Sequence, residues 1–320
     1  MRNLRLILLL ILCLFFLTTP NADAQTSLKI QPSLLQIRAR SPSDIRAPFK
    51  LVNAGEDTIE LKILLKRFRD SGEQNGKVIL SSPDAVDEHE RDGFLRQVDI
   101  MDADEATQSL TLGPRQEKEL TLSIKLTKDT PQADHYFTII FQSVSNQTVK
   151  TDSSSSFSKP VLAVAMPVLL SINADTKLRG LIDEFSGPLA LQEGPAPFTV
   201  KIKNSSEHFI TAKGVILITN MFGQTVGRVD IPSTNILANT TRSLSNYLDN
   251  YKYPKVLWKE QFLLGFYSAK LAVAISPSQT LYTQTVYFAA FPFVAIVVTS
   301  TILILGIFFI RRIKKKASEE

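Results

Sequence analysis

The sequence predicts a mostly β protein: two immunoglobulin-like antiparallel β-sandwiches followed by a single transmembrane α-helix. Three observations predict it. Short segments of period-two alternation, rich in Val, Ile, Thr and Phe, recur between turn residues through most of the chain. A weak internal echo divides that stretch in two: Ala47-Pro48-Phe49-Lys50-Leu51-Val52-Asn53 is matched by Ala196-Pro197-Phe198-Thr199-Val200 and Lys201-Ile202-Lys203-Asn204. From Val286 to Ile310 there is no charged residue, and such a run, rising about 1.5 Å per residue as a helix, is long enough for a bilayer core of about 30 Å.

Residues 1–24 read as a secretory signal. Arg2 and Arg5 precede the apolar run Leu6–Leu17, and Ala22-Asp23-Ala24 supplies a small-x-small cleavage site before Gln25. The first sandwich is expected over 25–174, with strands near 28–39, 46–53, 58–68, 76–81, 94–100, 117–126, 135–143 and 159–171. In Glu119, Thr121, Ser123 and Lys125 against Leu120, Leu122, Ile124 and Leu126 the two faces separate cleanly. The second sandwich is expected over 175–287, with strands near 177–185, 197–204, 211–220, 224–231, 240–246, 261–276 and 280–287. A membrane helix over 288–310 and a basic tail over 311–320 complete the chain. Arg311, Arg312, Lys314, Lys315 and Lys316 place that tail on the cytoplasmic side, and the cleaved signal places Gln25 outside.

Composition narrows the function. The 36 Lys and Arg outnumber the 31 Asp and Glu, but the surplus sits in the signal and the tail. The ectodomain between them is close to neutral, which excludes a nucleic-acid surface. The sole cysteine, Cys13, lies in the signal, so no disulfide is expected and hydrophobic burial must hold both sandwiches. That favours a bacterial envelope over an animal receptor. His89, His135 and His208 fall on separate elements without metal-ligand spacing, and there is no nucleophile elbow or phosphate loop. The sequence thus offers no catalytic residue, cofactor or metal site and reads as a binding protein rather than an enzyme.

Strand alternation turns loops into a map. With the last strand running into the helix, loops 53–57, 101–108 and 144–158 should gather at the end of the first sandwich far from the membrane. Asn53, Gly55, Asp57, Asp102, Asp104, Ser153 and Ser154 are the partner-binding candidates there. The segment 246–260 should face the bilayer, with Tyr251, Tyr253 and Trp258 among Lys255 and Lys259 as candidates for the lipid interface. The apolar strand at 159–171 carries Pro160 and Pro167, the mark of an edge or a bulge.

The arrangement resembles the bacterial WxL-interacting cell-surface proteins. The resemblance spans the whole chain and is carried by its architecture, with Asn53-Ala54-Gly55, Leu112-Gly113-Pro114 and Gly265-Phe266-Tyr267 similar to that family. It implies a first module associated with peptidoglycan and a second with a partner protein. The expectation is therefore a membrane-anchored extracytoplasmic scaffold, single-pass in the cell membrane, that captures peptidoglycan or another surface protein. The alternative is a membrane-tethered chaperone or accessory subunit that binds exported proteins by β-strand pairing.

Overall fold

In the computed structural model, which describes residues 28–80, 93–144, 162–173, 178–246, 255–276 and 280–317, the alternating segments fold as strands. The first domain contains β1 (Leu28–Gln31), β2 (Leu35–Ala39), β3 (Ser43–Asn53), β4 (Ile59–Asp70), β5 (Val78–Leu80) and β6 (Val98–Asp102). It continues with β7 (Glu105–Ala106), β8 (Ser109–Leu112), β9 (Glu117–Leu126), β10 (Asp134–Ser143) and β11 (Ala163–Ile172). Two sheets result, β1-β3-β9-β6-β7 and β2-β11-β10-β4-β5, with β8 also paired to β4. Their inner faces meet over Phe49, Leu51, Leu61, Leu122, Ile124, Phe137, Ile139 and Phe141, none more than 2 % exposed. On β9, Leu120, Leu122, Ile124 and Leu126 turn inward while the intervening polar residues turn out, as the alternation requires.

Two expectations for this domain change. Residues 28–39 are not one strand, because Pro32 has no N–H with which to continue a ladder. The chain crosses between sheets there: β1 pairs antiparallel with β3, and β2 pairs parallel with β11. The expected loop 101–108 is partly a hairpin, with Asp102 opposite Glu105 around Ala103 and Asp104.

The second domain holds β12 (Gly180–Ser186), β13 (Ala190–Leu191), β14 (Ala196–Asn204), β15 (Ile210–Asn220) and β16 (Thr225–Ile236). Then follow β17 (Thr241–Ser243), β18 (Val256–Trp258), β19 (Gly265–Ser276) and β20 (Thr280–Ala290). One sheet is β12-β14-β17 with β18 also on β14, and the other is β13-β20-β19-β15-β16. The strand expected at 240–246 stops at Ser243. Ladder pairing with β14 resumes only at β18, and Asn246 holds the two segments together by bonding both the N–H and the C=O of Leu257.

The internal echo is one device used twice. Asn53 is fully buried and donates to the carbonyls of Asp57 and Gly113, while its Oδ1 accepts from the N–H of Gly55. Asn204, also fully buried, donates to the carbonyls of His208, Ile236 and Leu237, while its Oδ1 accepts from the N–H of Ser206. Each asparagine thus ends a strand, closes the following turn and ties it to a second loop. Phe49 and Phe198, four and six residues upstream, are among the largest fully buried side chains of the protein.

A single helix, α1 (Phe293–Ala317, 25 residues), follows β20 after Phe291 and Pro292. It starts later than the expected residue 288 because Ala289 and Ala290 still pair with Phe266 and Gly265. Described side chains in α1 are those of Phe293 and 297–311; among the described residues no helix is long and apolar enough to cross a membrane. The expected signal, residues 1–24, lies outside the described residues, as does the expected domain boundary at 174.

Candidate binding groove between the two sandwiches

β11 is a strand with two different halves. Along most of its length, from Ala163 to Ser171, it pairs with β10. On its other side β2 covers only Val168–Ile172. Among the described residues, Ala163 to Pro167 therefore present an unpaired edge. Val164 and Met166 point into the first core, so the outward face of this half is Ala163, Ala165 and Pro167, small and apolar. The sequence pointed to this strand through its prolines, and it is both an edge and, further on, an interior strand.

The outward face borders a groove of about 590 Å³ between the domains. Ala165, Pro167, Leu169, Phe68, Val78 and Leu80 line it from the first domain, and Asn235, Leu237, Thr240 and Arg242 from the second. Two of its polar atoms are buried with no partner among the described residues: Thr138 Oγ1 and Arg242 Nε. Burial lowers the pKa of the Arg242 guanidinium, an effect that Asp70 opposes. Arg242 Nη1 donates to the Asn235 carbonyl at 2.7 Å, which aims the guanidinium along the groove wall. A buried donor and a buried hydroxyl left unpaired in an apolar groove suit an extended backbone, which brings carbonyls and N–H groups to both.

A polar cluster and a small apolar one set the two domains in register. Asp134 Oδ1 lies 2.7 Å from His208 Nδ1, and Ser171 Oγ lies 2.8 Å from the same nitrogen. Asp134 Oδ2 accepts from the N–H of Phe209 and the hydroxyl of Tyr136, both at 2.5 Å. The N–H of Ala238 in turn donates to the Tyr136 oxygen. Burial first, then the adjacent Asp134 carboxyl, push the Tyr136 phenol well above its ordinary pKa. Arg38 donates to the Phe209 carbonyl and stacks over its ring at 4.6 Å. Phe68, Leu169, Phe209 and Leu237 pack beside these groups. Sequence reasoning missed this cluster, since Asp134 and His208 lie far apart in the chain and no local pattern marks either.

The expected tip residues separate by role. The Val144 N–H donates to the Glu60 carbonyl and Asn53 reaches Gly113, so the loop after β3 and the end of β10 lie near the turn between β8 and β9, whereas the loop expected at 101–108 is largely the β6–β7 hairpin. Asn53 itself offers nothing to a partner, because its side chain is buried and its donors are committed to the turn; that expectation is corrected. Gly55 accepts from the Arg115 N–H and Asp57 is exposed. Asp102 is half-buried in an ion pair with Lys118 at 2.5 Å, whereas Asp104 is exposed on the hairpin. Ser153 and Ser154 lie outside the described residues.

Trp258 is also corrected. It is 7 % exposed, packed edge-on to Tyr267 and Phe288, with Gly227 under its indole, so it belongs to the core and cannot reach lipid. Lys255 and Lys259 are exposed; Tyr251 and Tyr253 lie outside the described residues. Arg311 is exposed, and the side chains of Arg312, Lys314, Lys315 and Lys316 lie outside them too. Among the described residues no group of three or more His, Cys, Asp or Glu could hold a metal ion.

Paired sandwiches with a groove between them define a two-domain, mostly β fold of immunoglobulin type. No family model and no curated protein matches the chain. Among solved structures it is similar to the class 5 fimbriae chaperone CfaA, at 11 % identity over 81 % of this chain and 98 % of that one, with a TM-score of 0.40. It is also similar to the CupB2 chaperone of Pseudomonas aeruginosa, at 8 % identity over 82 % and 100 % with a TM-score of 0.38. A third is the SafB chaperone of Salmonella enterica in complex with the SafA pilin, at 10 % identity over 84 % and 98 % with a TM-score of 0.39. At such identities the likeness concerns the fold alone.

Proposed function

We propose that this protein is a membrane-tethered, extracytoplasmic binding protein that receives an extended segment of another exported protein at the open edge of β11. The observation that carries the reading is the half-covered strand: β2 stops at Val168, so the alternate backbone groups of Ala163–Pro167 that β10 does not take face an edge with no strand on it among the described residues. An incoming strand would gain ladder hydrogen bonds there and lay alternate side chains into the groove. The unpartnered Thr138 Oγ1 and Arg242 Nε support the same occupant. This keeps the envelope setting that the resemblance to WxL-interacting proteins implies and moves the binding surface from the tip loops to the groove. The SafB structure, solved with a pilin, is an instance of a similarly built protein holding a subunit.

The tether in this reading is α1. Its 25 residues would extend about 37 Å, and Phe293 to Ile310 carry no charge once the whole helix sequence is counted. Described side chains from Ile302 to Ile310 are largely exposed, an arrangement that lipid would stabilise and water would not. With the signal at the other end of the chain, the ectodomain lies outside and the tail inside.

The test uses the full chain in lipid nanodiscs and synthetic peptides of alternating apolar pattern. Ala163→Lys with Ala165→Glu puts charge on the exposed edge without touching either core. Affinity should fall at least about tenfold, or 1.4 kcal/mol. Undiminished peptide binding, together with pelleting on protein-stripped cell walls, would sink the strand-pairing reading in favour of direct wall capture.

A further inference from the structure

The end of the second sandwich from which α1 departs is unlike the rest of the ectodomain surface. Leu189, Met221, Phe222, Phe262, Leu264 and Phe266 are there between 54 % and 89 % exposed. The topology brings them together. Ala289 bonds Leu189, Tyr267 stands opposite Asn220, and Gly265 stands opposite Ala290, only two residues before Pro292. Tyr287, also exposed, lies beside Leu189, Met221 and Phe266. Elsewhere in the described ectodomain, Leu281 is the one large apolar residue more than half exposed.

These side chains are held rather than loose. Asn220 Oδ1 accepts from the N–H groups of Phe222 and Gln224, both at 3.0 Å, and Gly223 takes φ of +81° to complete the turn. Met221 and Phe222 are thereby fixed at the tip of a rigid hairpin. Phe266 packs edge-on to Phe291 at 5.5 Å, and Phe291 meets Phe293 of α1 at 5.9 Å. A line of rings thus runs from sandwich to helix.

We propose that this apolar collar is a membrane-docking site, seated in the headgroup layer of the leaflet that α1 enters. The inference rests on the reading of α1 as the tether. Lipid is the fitting occupant because the collar is continuous with α1 and joined to it by two residues, too few to lift the sandwich clear of a bilayer. Aromatic residues favour that layer, and the Tyr287 hydroxyl can remain hydrated while its ring does not. Glu193, exposed beside Phe262, and Glu260, exposed two residues before it, limit the depth of insertion. The collar takes over the role that the sequence suggested for Trp258, which is buried.

The experiment uses the full chain in a Cys13→Ser background, reconstituted in phosphatidylcholine–phosphatidylglycerol vesicles. Single substitutions Phe222→Cys, Phe266→Cys, Asp104→Cys and Ile304→Cys carry an environment-sensitive fluorophore, read against lipids spin-labelled near the headgroup or deep in the acyl chain. The collar predicts that labels at 222 and 266 lose most of their emission to headgroup-proximal spins while the label at 104 keeps its own. Deep quenching at 304 with none at 222 or 266 would overturn the collar and leave the tether standing. No quenching at 304 would overturn the tether, and the collar with it. Self-quenching at 222 that rises with protein density, without lipid quenching, would assign the surface to a second copy of the chain and overturn the collar.

Discussion

Asn53 and Asn204 each organise a turn through several side-chain hydrogen bonds, all of which truncation removes. Asn53→Ala should destabilise the first domain by about 2–4 kcal/mol, since buried carbonyls and an N–H lose their partners together. Asn204→Ala should match that figure and do more. Its partners His208 and Leu237 also touch the first domain, so amide exchange should accelerate at Phe209 and Ala238 as well as in the turn. Exchange confined to residues 204–208 would disprove the coupling. Tyr136 gives a pH signature. Below about pH 10 its phenol is neutral folded or unfolded; above that only the unfolded chain ionises freely, because the folded value is raised. The contribution is present below the unfolded pKa and lost as pH rises past it. Thermal unfolding of the ectodomain should therefore show a stability loss above pH 10 that Tyr136→Phe reduces.

At the scale of elements, strands with clear alternation were legible, and β9 falls where its period placed it. The pieces β7, β13 and β18 have only two or three residues, too few to establish a period, and β8 alternates over only four. Proline explains both success and failure. Pro167 marked β11 as unusual, whereas Pro32 was passed over inside an alternating run that is two strands in two sheets. Trp258 misled because aromatic and basic residues side by side have the same composition in a membrane loop and in a strand whose inner face is aromatic. Only the partner strand decides between them, and β14 supplies it. Asp134→Ala is the element-level test of the junction. It should leave His208 buried without its carboxylate and loosen the contact by about 3 kcal/mol, read as faster exchange at Phe209.

For the whole molecule, the repeat of one turn device at Asn53 and Asn204 was readable from the echo, but the surface between the sandwiches was not. Asp134, Ser171 and His208 meet only after both sandwiches form, so no local pattern announces them. The short step from β20 to α1 has a mechanical consequence. A pull transmitted through the helix acts along the length of β20, whose eleven register pairs with β19 bear the load together, in shear. The contact between the domains would instead peel, a few hydrogen bonds at a time. Under tension between a captured segment and its anchorage, β11 should release its load, or the first domain swing from the second, while the lower sandwich still grips its strand. The rate at which β11 lets its load go under force, rather than the unfolding of that sandwich, then sets how long the attachment lasts.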